Sequence, residues 1–188
     1  MARWEPDSRT RLEEAALTLF AERGYEGTTV AEIAARAGVT ERTFFRRFAD
    51  KREVLFPGSA PLQVAMVGAV VEAPAGDAPI DAVARAVEAA CAVLQDRQDR
   101  ARRRQAVVAA TPELRERELA KMATLAAAVA EALRGRGAGP TSASLAAEAG
   151  IAVFRVSFER WIDEPEGTDL AGIARDAFAE LKAVTAGR

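Results

Sequence analysis

Residues 28–51 read TTVAEIAARAGVTERTFFRRFADK, and this stretch decides the fold of the N-terminal part of the chain. Thr29 can cap a helix, and Glu32 stands three residues later, at the capping-box spacing. Gly38 follows the last apolar position of that helix, where a left-handed residue commonly ends a helix. Thr40 can cap a second, short helix. The stretch therefore predicts two short helices joined by a tight turn.

The second helix separates aromatic side chains from basic ones. Phe44 and Phe48 are four residues apart and share one face, which predicts that they are core residues. Arg42, Arg46 and Arg47 point away from that face. A helix, a glycine turn and a short helix rich in arginine are typical of a helix-turn-helix that reads DNA.

The positive charge of the chain is concentrated around this motif. The 188 residues carry a formal net charge of −2, which argues against a protein that coats nucleic acid unselectively. Residues 36–52 contain six basic and two acidic side chains, a net charge of +4. A small basic surface of this kind is what contact with phosphates requires.

The composition excludes several classes of protein. The single cysteine, Cys91, cannot form an intramolecular disulfide, which suits a reducing compartment. The chain has no histidine, the commonest metal ligand and general base, and no pair of carboxylates at a catalytic spacing. We therefore predict no catalytic residues, no metal site, no cofactor and no enzyme activity. The sequence shows neither a membrane span nor a secretion signal, and it predicts a cytoplasmic protein.

The rest of the chain is predicted to be helical. Residues 1–7 are expected to form a loose arm before a helix that Asp7 or Ser8 caps, and Pro57 with Gly58 breaks the short helix after the motif. Later helices are expected over 62–72, 79 to about 98, 112 to about 134, 141 or 142 to about 163, and from 169 onward. The predicted fold class is all-α with about nine helices.

Residues 9–56, RTRLEEAALTLFAERGYEGTTVAEIAARAGVTERTFFRRFADKREVLF, resemble the DNA-binding domain of the TetR family of transcriptional regulators. The likeness has no gap and includes the entry AALTLFAERGYEGTTV and the exit TFF.RFADK. It implies a three-helix helix-turn-helix domain at 1–56 and a larger helical domain for ligand binding and dimerisation at 57–188. The segment RRRQAVVAATPELRERELAKM also resembles a C-terminal domain type thought to sense acyl-CoA-like ligands.

The resemblance implies which residues contact DNA. A threonine and a lysine of the family touch phosphates at the positions of Thr29 and Lys51, and the start of the second motif helix faces base edges. Phe45 stands where the family often has tyrosine, so a hydroxyl is lost while the ring remains. Arg47 stands where histidine is frequent, and it can still reach a phosphate. The predicted DNA contacts are Thr29, Thr40, Glu41, Arg42, Thr43, Phe45, Arg46, Arg47 and Lys51.

These assignments have structural alternatives. Arg42 is the candidate for guanine recognition, and its alternative is a solvated surface arginine. Arg46 lies further from the helix start and is expected to neutralise a phosphate rather than read a base. Glu41 could accept from a cytosine amine or could simply favour the helix dipole. The run 102–104 of three arginines could meet an anion or form a solvated face.

Two further sets of residues follow from the implied larger domain. An apolar effector pocket is predicted, although each member could equally be packed core: Met66, Val67, Val87, Cys91, Gln105, Val108, Leu119, Met122 and Phe158. Gln105 and the nearby arginines are the candidates for an anionic head group. A two-fold dimer interface is predicted on the last two helices: Ala146, Ala149, Ala152, Val153, Val156, Trp161, Ile173, Ala177, Phe178 and Leu181.

The sequence therefore predicts a ligand-responsive repressor that binds a near-palindromic operator as a homodimer. Its partners would be double-stranded operator DNA, a second copy of itself and a small apolar or acyl-chain effector that releases or modulates DNA binding. No membrane partner is predicted. The alternative is a DNA-binding regulator without a small-molecule effector, switched by a protein partner or by its abundance.

Overall fold

The computed structural model describes residues 7–57 and 59–187, and its regular elements in these ranges are all helices. The α-helices are α1 (Ser8–Arg23), α2 (Val30–Arg36), α3 (Glu41–Arg47), α4 (Ser59–Glu72), α5 (Pro79–Leu94), α6 (Gln98–Ala110), α7 (Pro112–Gly135), α8 (Pro140–Asp163) and α9 (Leu170–Thr185). The predicted all-α class is confirmed. The predicted arm lies outside the described residues apart from Asp7, as does Gly58 of the predicted helix break. No helix within the described ranges is long and apolar enough to cross a bilayer.

Some helix ends differ from the predicted positions. α8 begins at Pro140 with Gly139 as its cap, so Thr141 and Ser142 lie in the first turn and do not cap it. The fixed φ of proline suits this first position, where its missing N–H has no helical partner to lose. The short helix predicted after α3 is present as a 3-10 helix, Arg52–Leu55.

The chain divides into two compact units, each of which draws on more than one segment. Of the described residues, 7–57 and 103–116 form the first unit, and 59–102 and 117–187 form the second. The sequence placed a single boundary at residue 56, whereas the compact unit that contains 7–57 also includes 103–116. The end of α6 and the start of α7 therefore belong with the helix-turn-helix.

The core of the first unit explains why 103–116 belongs to it. Buried apolar side chains from α1, α2, α3 and the 3-10 helix are joined there by three distant residues. The core includes Leu12, Leu19, Phe20, Ile33, Phe44, Phe48, Leu55, Val107, Val108 and Leu114. Burial of one such side chain contributes about 1.5–3 kcal/mol, so the segment 103–116 is a substantial part of this core.

Polar contacts attach the same segment to the first unit. Arg104 Nε donates to the Leu55 carbonyl at 2.7 Å, and its guanidinium lies 4.8 Å from the centre of the Phe56 ring. Arg52 pairs with Glu113 at 3.0 Å. The Arg104 guanidinium thus lies at the end of the 3-10 helix, where carbonyls without a helical partner favour positive charge.

The second unit is a set of packed helices with one close approach. α4 packs on α5, α5 packs on α8 and α9, and α8 packs on α9. A Cβ at Gly150 would overlap the side chain of Val83, so glycine allows α8 to come close to α5. Trp161 is fully buried in this core, and its Nε1 donates to the Thr168 carbonyl at 2.9 Å.

The junction between α5 and α6 holds the turn between α8 and α9. The helix predicted to run to about residue 98 ends at Leu94, and a 3-10 turn, Gln95–Arg97, follows. Gln98 is only 4% exposed, and its Nε2 donates to the Trp161 and Glu164 carbonyls at 2.7 and 3.0 Å. Its Oε1 accepts from the Gly167 amide at 3.1 Å. The Gln98 side chain thus donates to backbone carbonyls and accepts from a backbone amide.

Two neighbours of Gln98 bind the same turn. Gln95 Nε2 donates to the Thr168 carbonyl at 3.0 Å, and its Oε1 accepts from the Leu170 amide at 3.0 Å. Arg102 Nε donates to the Ile162 carbonyl at 2.6 Å. These residues satisfy carbonyls that the end of a helix would otherwise leave without partners.

Candidate nucleic-acid interface

The start of α2 forms the predicted capping box. The Thr29 hydroxyl accepts from the Glu32 amide at 3.3 Å, and Glu32 Oε2 accepts from the Thr29 amide at 2.8 Å. The hydrogen bonds from Thr29 hold the pKa of Glu32 below its usual range. The entry to the motif is therefore held by contacts local in the sequence.

The turn between α2 and α3 is a Schellman motif. Gly38 has φ of 68° and donates its amide to the Ala35 carbonyl, while Val39 donates to the Ala34 carbonyl. Only glycine adopts this left-handed conformation without strain. The turn sets the direction in which α3 leaves α2.

α3 is anchored on one face and capped at its start. Thr40 Oγ1 accepts from the Thr43 amide at 3.3 Å, which caps the helix. Phe44 and Phe48 are buried as predicted, with ring centroids 5.3 Å apart. Arg9 lies over the Phe48 ring at 5.3 Å. These contacts orient the opposite face of α3 toward solvent.

The exposed face of α3 carries two arginines that have no partner among the residues that the structure describes. Arg42 and Arg46 are exposed, and within the described residues neither makes a hydrogen bond or ion pair. Glu41 is also exposed, and Thr43 is half-buried. The guanidinium groups of Arg42 and Arg46 are thus available to anions or base edges.

Other basic residues of the motif pair with acids. Arg36 pairs with Glu22 at 3.2 Å. Arg47 lies 3.5 Å from Asp7. These exposed pairs are weak, and a phosphate can replace the carboxylate in each. Arg42 and Arg46 can therefore contact an anion without first breaking an ion pair.

Lys51 is engaged within the protein. Its Nζ donates to the carbonyls of Tyr25 and Thr28 at 2.9 and 3.0 Å and lies 4.0 Å from the centre of the Tyr25 ring. Two of the three N–H donors of the ammonium are thus used. One N–H donor of Lys51 therefore remains for the predicted phosphate contact. In this structure Lys51 holds the turn that precedes Thr29.

Comparison with known proteins identifies the family. The profile described as bacterial regulatory proteins, tetR family, matches residues 12–56. The profile described as the MftR C-terminal domain matches residues 77–186, more than half of the chain. The chain belongs to the TetR family of transcriptional regulators. Members of this family are DNA-binding regulators and not enzymes.

Individual TetR-family proteins show the same likeness. The HTH-type transcriptional regulator TcmR of Streptomyces glaucescens is 39% identical over 89 residues, which span 47% of this chain and 39% of TcmR. The chain thus matches about two fifths of the length of this relative.

Two solved structures of transcriptional regulators match over most of this chain. FadR of Thermus thermophilus, a repressor in complex with lauroyl-CoA, is 25% identical with a TM-score of 0.55, covering 91% of each chain. FadR of Bacillus subtilis in complex with stearoyl-CoA is 17% identical with a TM-score of 0.62, covering 89% of this chain and 94% of its own. The second likeness shows the fold alone.

The predicted pocket residues do not form one set in this TetR-family chain. Met66, Val87 and Cys91 are buried in the core of the second unit, where burial raises the pKa of the Cys91 thiol to about 12. Val67, Met122 and Phe158 are half-buried. Val108 belongs to the core of the first unit, Gln105 lies in that same unit, and Leu119 is exposed. The burial of each residue, and the unit to which it belongs, depend on the side chains against which it packs. Helical periodicity in the sequence does not identify those side chains.

The predicted head-group arginines are occupied. Arg102 donates to the carbonyls of Ile162 and Glu164, and Arg103 pairs with Glu14 at 3.3 Å. Gln105 Oε1 is buried and has no hydrogen-bond partner among the described residues. That these arginines hold a ligand stays a prediction, and an anionic head group would have to compete with these partners.

The predicted interface residues divide by burial. The residues buried in the core of their own chain are Ala146, Val153, Trp161, Ile173 and Phe178. Half-buried are Ala149, Ala177 and Leu181, and exposed are Ala152 and Val156. The sequence interpretation missed Leu145, which is exposed and shares a face with Ala149, Ala152 and Val156.

The sequence interpretation also missed the role of Gln98. Its partners lie 63 or more residues away in the chain. No local pattern distinguishes a glutamine that binds such partners from a glutamine on a solvated helix face. Only the tertiary structure could identify it.

Proposed function

We propose that this chain is a repressor that binds a near-palindromic operator as a homodimer and is released or modulated by a small apolar or acyl-chain effector. The observation that carries the proposal is the solvent-facing, unpartnered pair Arg42 and Arg46 on a capped α3. A protein that binds chromosomal operators in this way acts in the cytoplasm.

Each side chain of α3 has a proposed role in the DNA complex. Arg42 lies in the first turn and reads a guanine, whose O6 and N7 accept both arms of a guanidinium. Arg46 lies one turn further and neutralises a phosphate. The Thr29 hydroxyl, at the capped start of α2, donates to Glu32 Oε2 at 2.9 Å in this structure and would exchange that acceptor for a phosphate oxygen in the DNA complex.

Replacement of Arg42 by alanine is expected to weaken operator binding by about 1–3 kcal/mol and to relax the preference at one base position in each half-site. Selection from a randomised duplex library, followed by affinity measurements on the selected site, would test this. Arg134→Ala, which removes a half-buried arginine from α7, is the control and should change neither quantity. An unaltered site profile for Arg42→Ala would contradict the assignment.

An apolar stripe supports the dimer. Leu145, Ala149, Ala152 and Val156 follow one another at helical spacing on α8, and Val156 is 55% exposed. Small and branched side chains of this kind pack closely against a copy of the same helix. A two-fold dimer carries two copies of α3 related by its axis and therefore requires a near-palindromic site.

Replacement of Val156 by arginine is expected to weaken dimerisation by at least about tenfold, because a two-fold interface would bury two unpaired charges. Sedimentation velocity at several concentrations would measure the effect. Val64→Arg is the control, since Val64 is also an exposed valine and lies on α4. Dimers of unchanged affinity in both variants would argue against the α8 stripe.

The interior of the second unit supports an apolar effector. Its core contains Met66, Val87 and Cys91, and methionine adapts readily to a bound chain. The Ser157 hydroxyl is fully buried and has no hydrogen-bond partner among the described residues, so it is free to bind a polar ligand atom. The Thermus thermophilus FadR complex with lauroyl-CoA makes acyl-CoA the first ligand class to test.

An effector of this class is expected to change operator affinity about 5–150-fold, and operator DNA must change effector affinity by the same factor. Titration of lauroyl-CoA with and without the selected duplex would measure both sides of this linkage. Free coenzyme A is the control for the head group. If acyl-CoAs of several lengths and planar aromatic compounds all leave operator affinity unchanged, regulation by a protein partner or by abundance becomes the better account.

A further inference from the structure

The ring of Phe45 is largely exposed on the surface of α3. Phe45 is 55% exposed, and its ring forms a T-shaped pair with Phe44, with centroids 5.5 Å apart and 80° between the ring planes. Phe44 is buried, and Phe45 lies about 100° further around the helix. A single exposed apolar side chain is common on a protein surface, and Phe45 is of interest because it lies on the helix that is proposed to bind DNA.

The position of Phe45 on α3 defines which part of the DNA it can reach. Successive residues of an α-helix are about 100° apart, so Arg42 and Arg46 lie near the centre of the exposed face. Phe45 lies to one side of that centre, and Arg47 lies to the other side. A helix that enters the major groove with the arginines toward the base edges therefore turns Phe45 toward one wall of the groove.

The ring of Phe45 can recognise only an apolar group. It has no donor for a phosphate and no acceptor for a base amine. Among the groups that base edges present in the major groove, the C5-methyl of thymine is the apolar one. This methyl lies near the groove wall, on the side toward the backbone of its own strand.

We propose that Phe45 contacts a thymine C5-methyl group in each half-site and is a specificity-determining residue. The proposal rests on the proposed binding of an operator through α3. The ring would make thymine preferred over cytosine at one position, in addition to the guanine read by Arg42. An aromatic residue without a hydroxyl suits this contact, because it brings no polar group that must be buried unpaired.

The test compares thymine with deoxyuridine, which lacks only the methyl group. Full-length wild-type protein selects sites from a randomised duplex library, and affinities are then measured on the selected duplex with single thymines replaced by deoxyuridine. Loss of the contacted methyl should weaken wild-type binding roughly fourfold per half-site, as expected for one buried methyl-sized group. Phe45→Ala should bind the thymine and deoxyuridine duplexes equally, and Phe45→Leu should retain part of the discrimination.

The outcomes separate this proposal from the proposed function. If no single deoxyuridine weakens wild-type binding, Phe45 does not read a methyl group, even if Phe45→Ala binds poorly. If Phe45→Ala keeps the wild-type discrimination between thymine and deoxyuridine, another residue reads the methyl. Either result overturns the role of Phe45 and leaves operator binding intact. If wild-type protein selects no sequence, both proposals fail.

Discussion

Replacement of Gln98 by alanine is expected to lower the free energy of unfolding by about 2–4 kcal/mol, because it leaves several buried or half-buried backbone groups without partners. The Trp161 carbonyl and the Gly167 amide are among the groups that lose their hydrogen bonds. Urea denaturation followed by far-ultraviolet circular dichroism would measure the loss.

Two further variants distinguish hydrogen bonding from packing at Gln98. Gln98→Glu keeps the size of the side chain but presents an acceptor to the carbonyls that Nε2 now serves, so it should destabilise at least as much as alanine. Gln63→Ala removes an exposed glutamine from α4 and should change stability by less than about 0.5 kcal/mol. Wild-type stability for Gln98→Glu would show that the hydrogen bonds contribute little.

Replacement of Leu114 by alanine is expected to destabilise the first unit by about 2–5 kcal/mol, because it leaves a cavity in a closed core. Leu114 is 0% exposed and lies in the core that contains Phe44 and Phe48. Denaturant unfolding would measure the loss of stability, and amide hydrogen exchange would show which helices are destabilised. Amides of α1 and α3 should lose protection although the substitution is in α7.

Leu119→Ala is the matched control for Leu114→Ala. Leu119 lies on the same helix and receives the same substitution, but it is 58% exposed. Its replacement should leave both stability and the protection of α3 almost unchanged. Equal destabilisation by the two substitutions would contradict the assignment of residues 103–116 to the first unit.

The helix-turn-helix could be predicted from the sequence in detail. The capping box of Thr29 with Glu32, the glycine turn at Gly38 and the buried pair Phe44 and Phe48 are all present. Each of these features depends on residues no more than five positions apart. Patterns over so short a distance can be recognised in a sequence, because helix and turn geometry alone brings the residues together.

The contacts of Lys51 could not be predicted in the same way. The likeness to the family assigned it to a phosphate, while the structure directs two of its donors to the turn at Tyr25 and Thr28. These carbonyls are more than 20 residues away in the chain. A basic side chain near the motif is equally compatible with both uses until the path of that turn is known.

The inward and outward faces of α8 were also ambiguous. Alanine, valine and isoleucine occur around much of its circumference, so the apolar period does not select one face. The structure buries Val153 and Trp161 and exposes Ala152 and Val156. The proposed dimer surface is therefore narrower than predicted, and it gains Leu145.

By itself, the sequence determined that the chain is all-α, that it contains a helix-turn-helix and that residues 36–52, around that motif, carry a net positive charge. Helical period, caps and turn glycines act locally, and they are sufficient for these conclusions. The tertiary structure alone decided that residues 103–116 complete the core of the first unit and that Gln98 holds the turn between α8 and α9. Both depend on contacts between residues far apart in the chain. Such contacts form only in the folded chain, and no local sequence pattern identifies them.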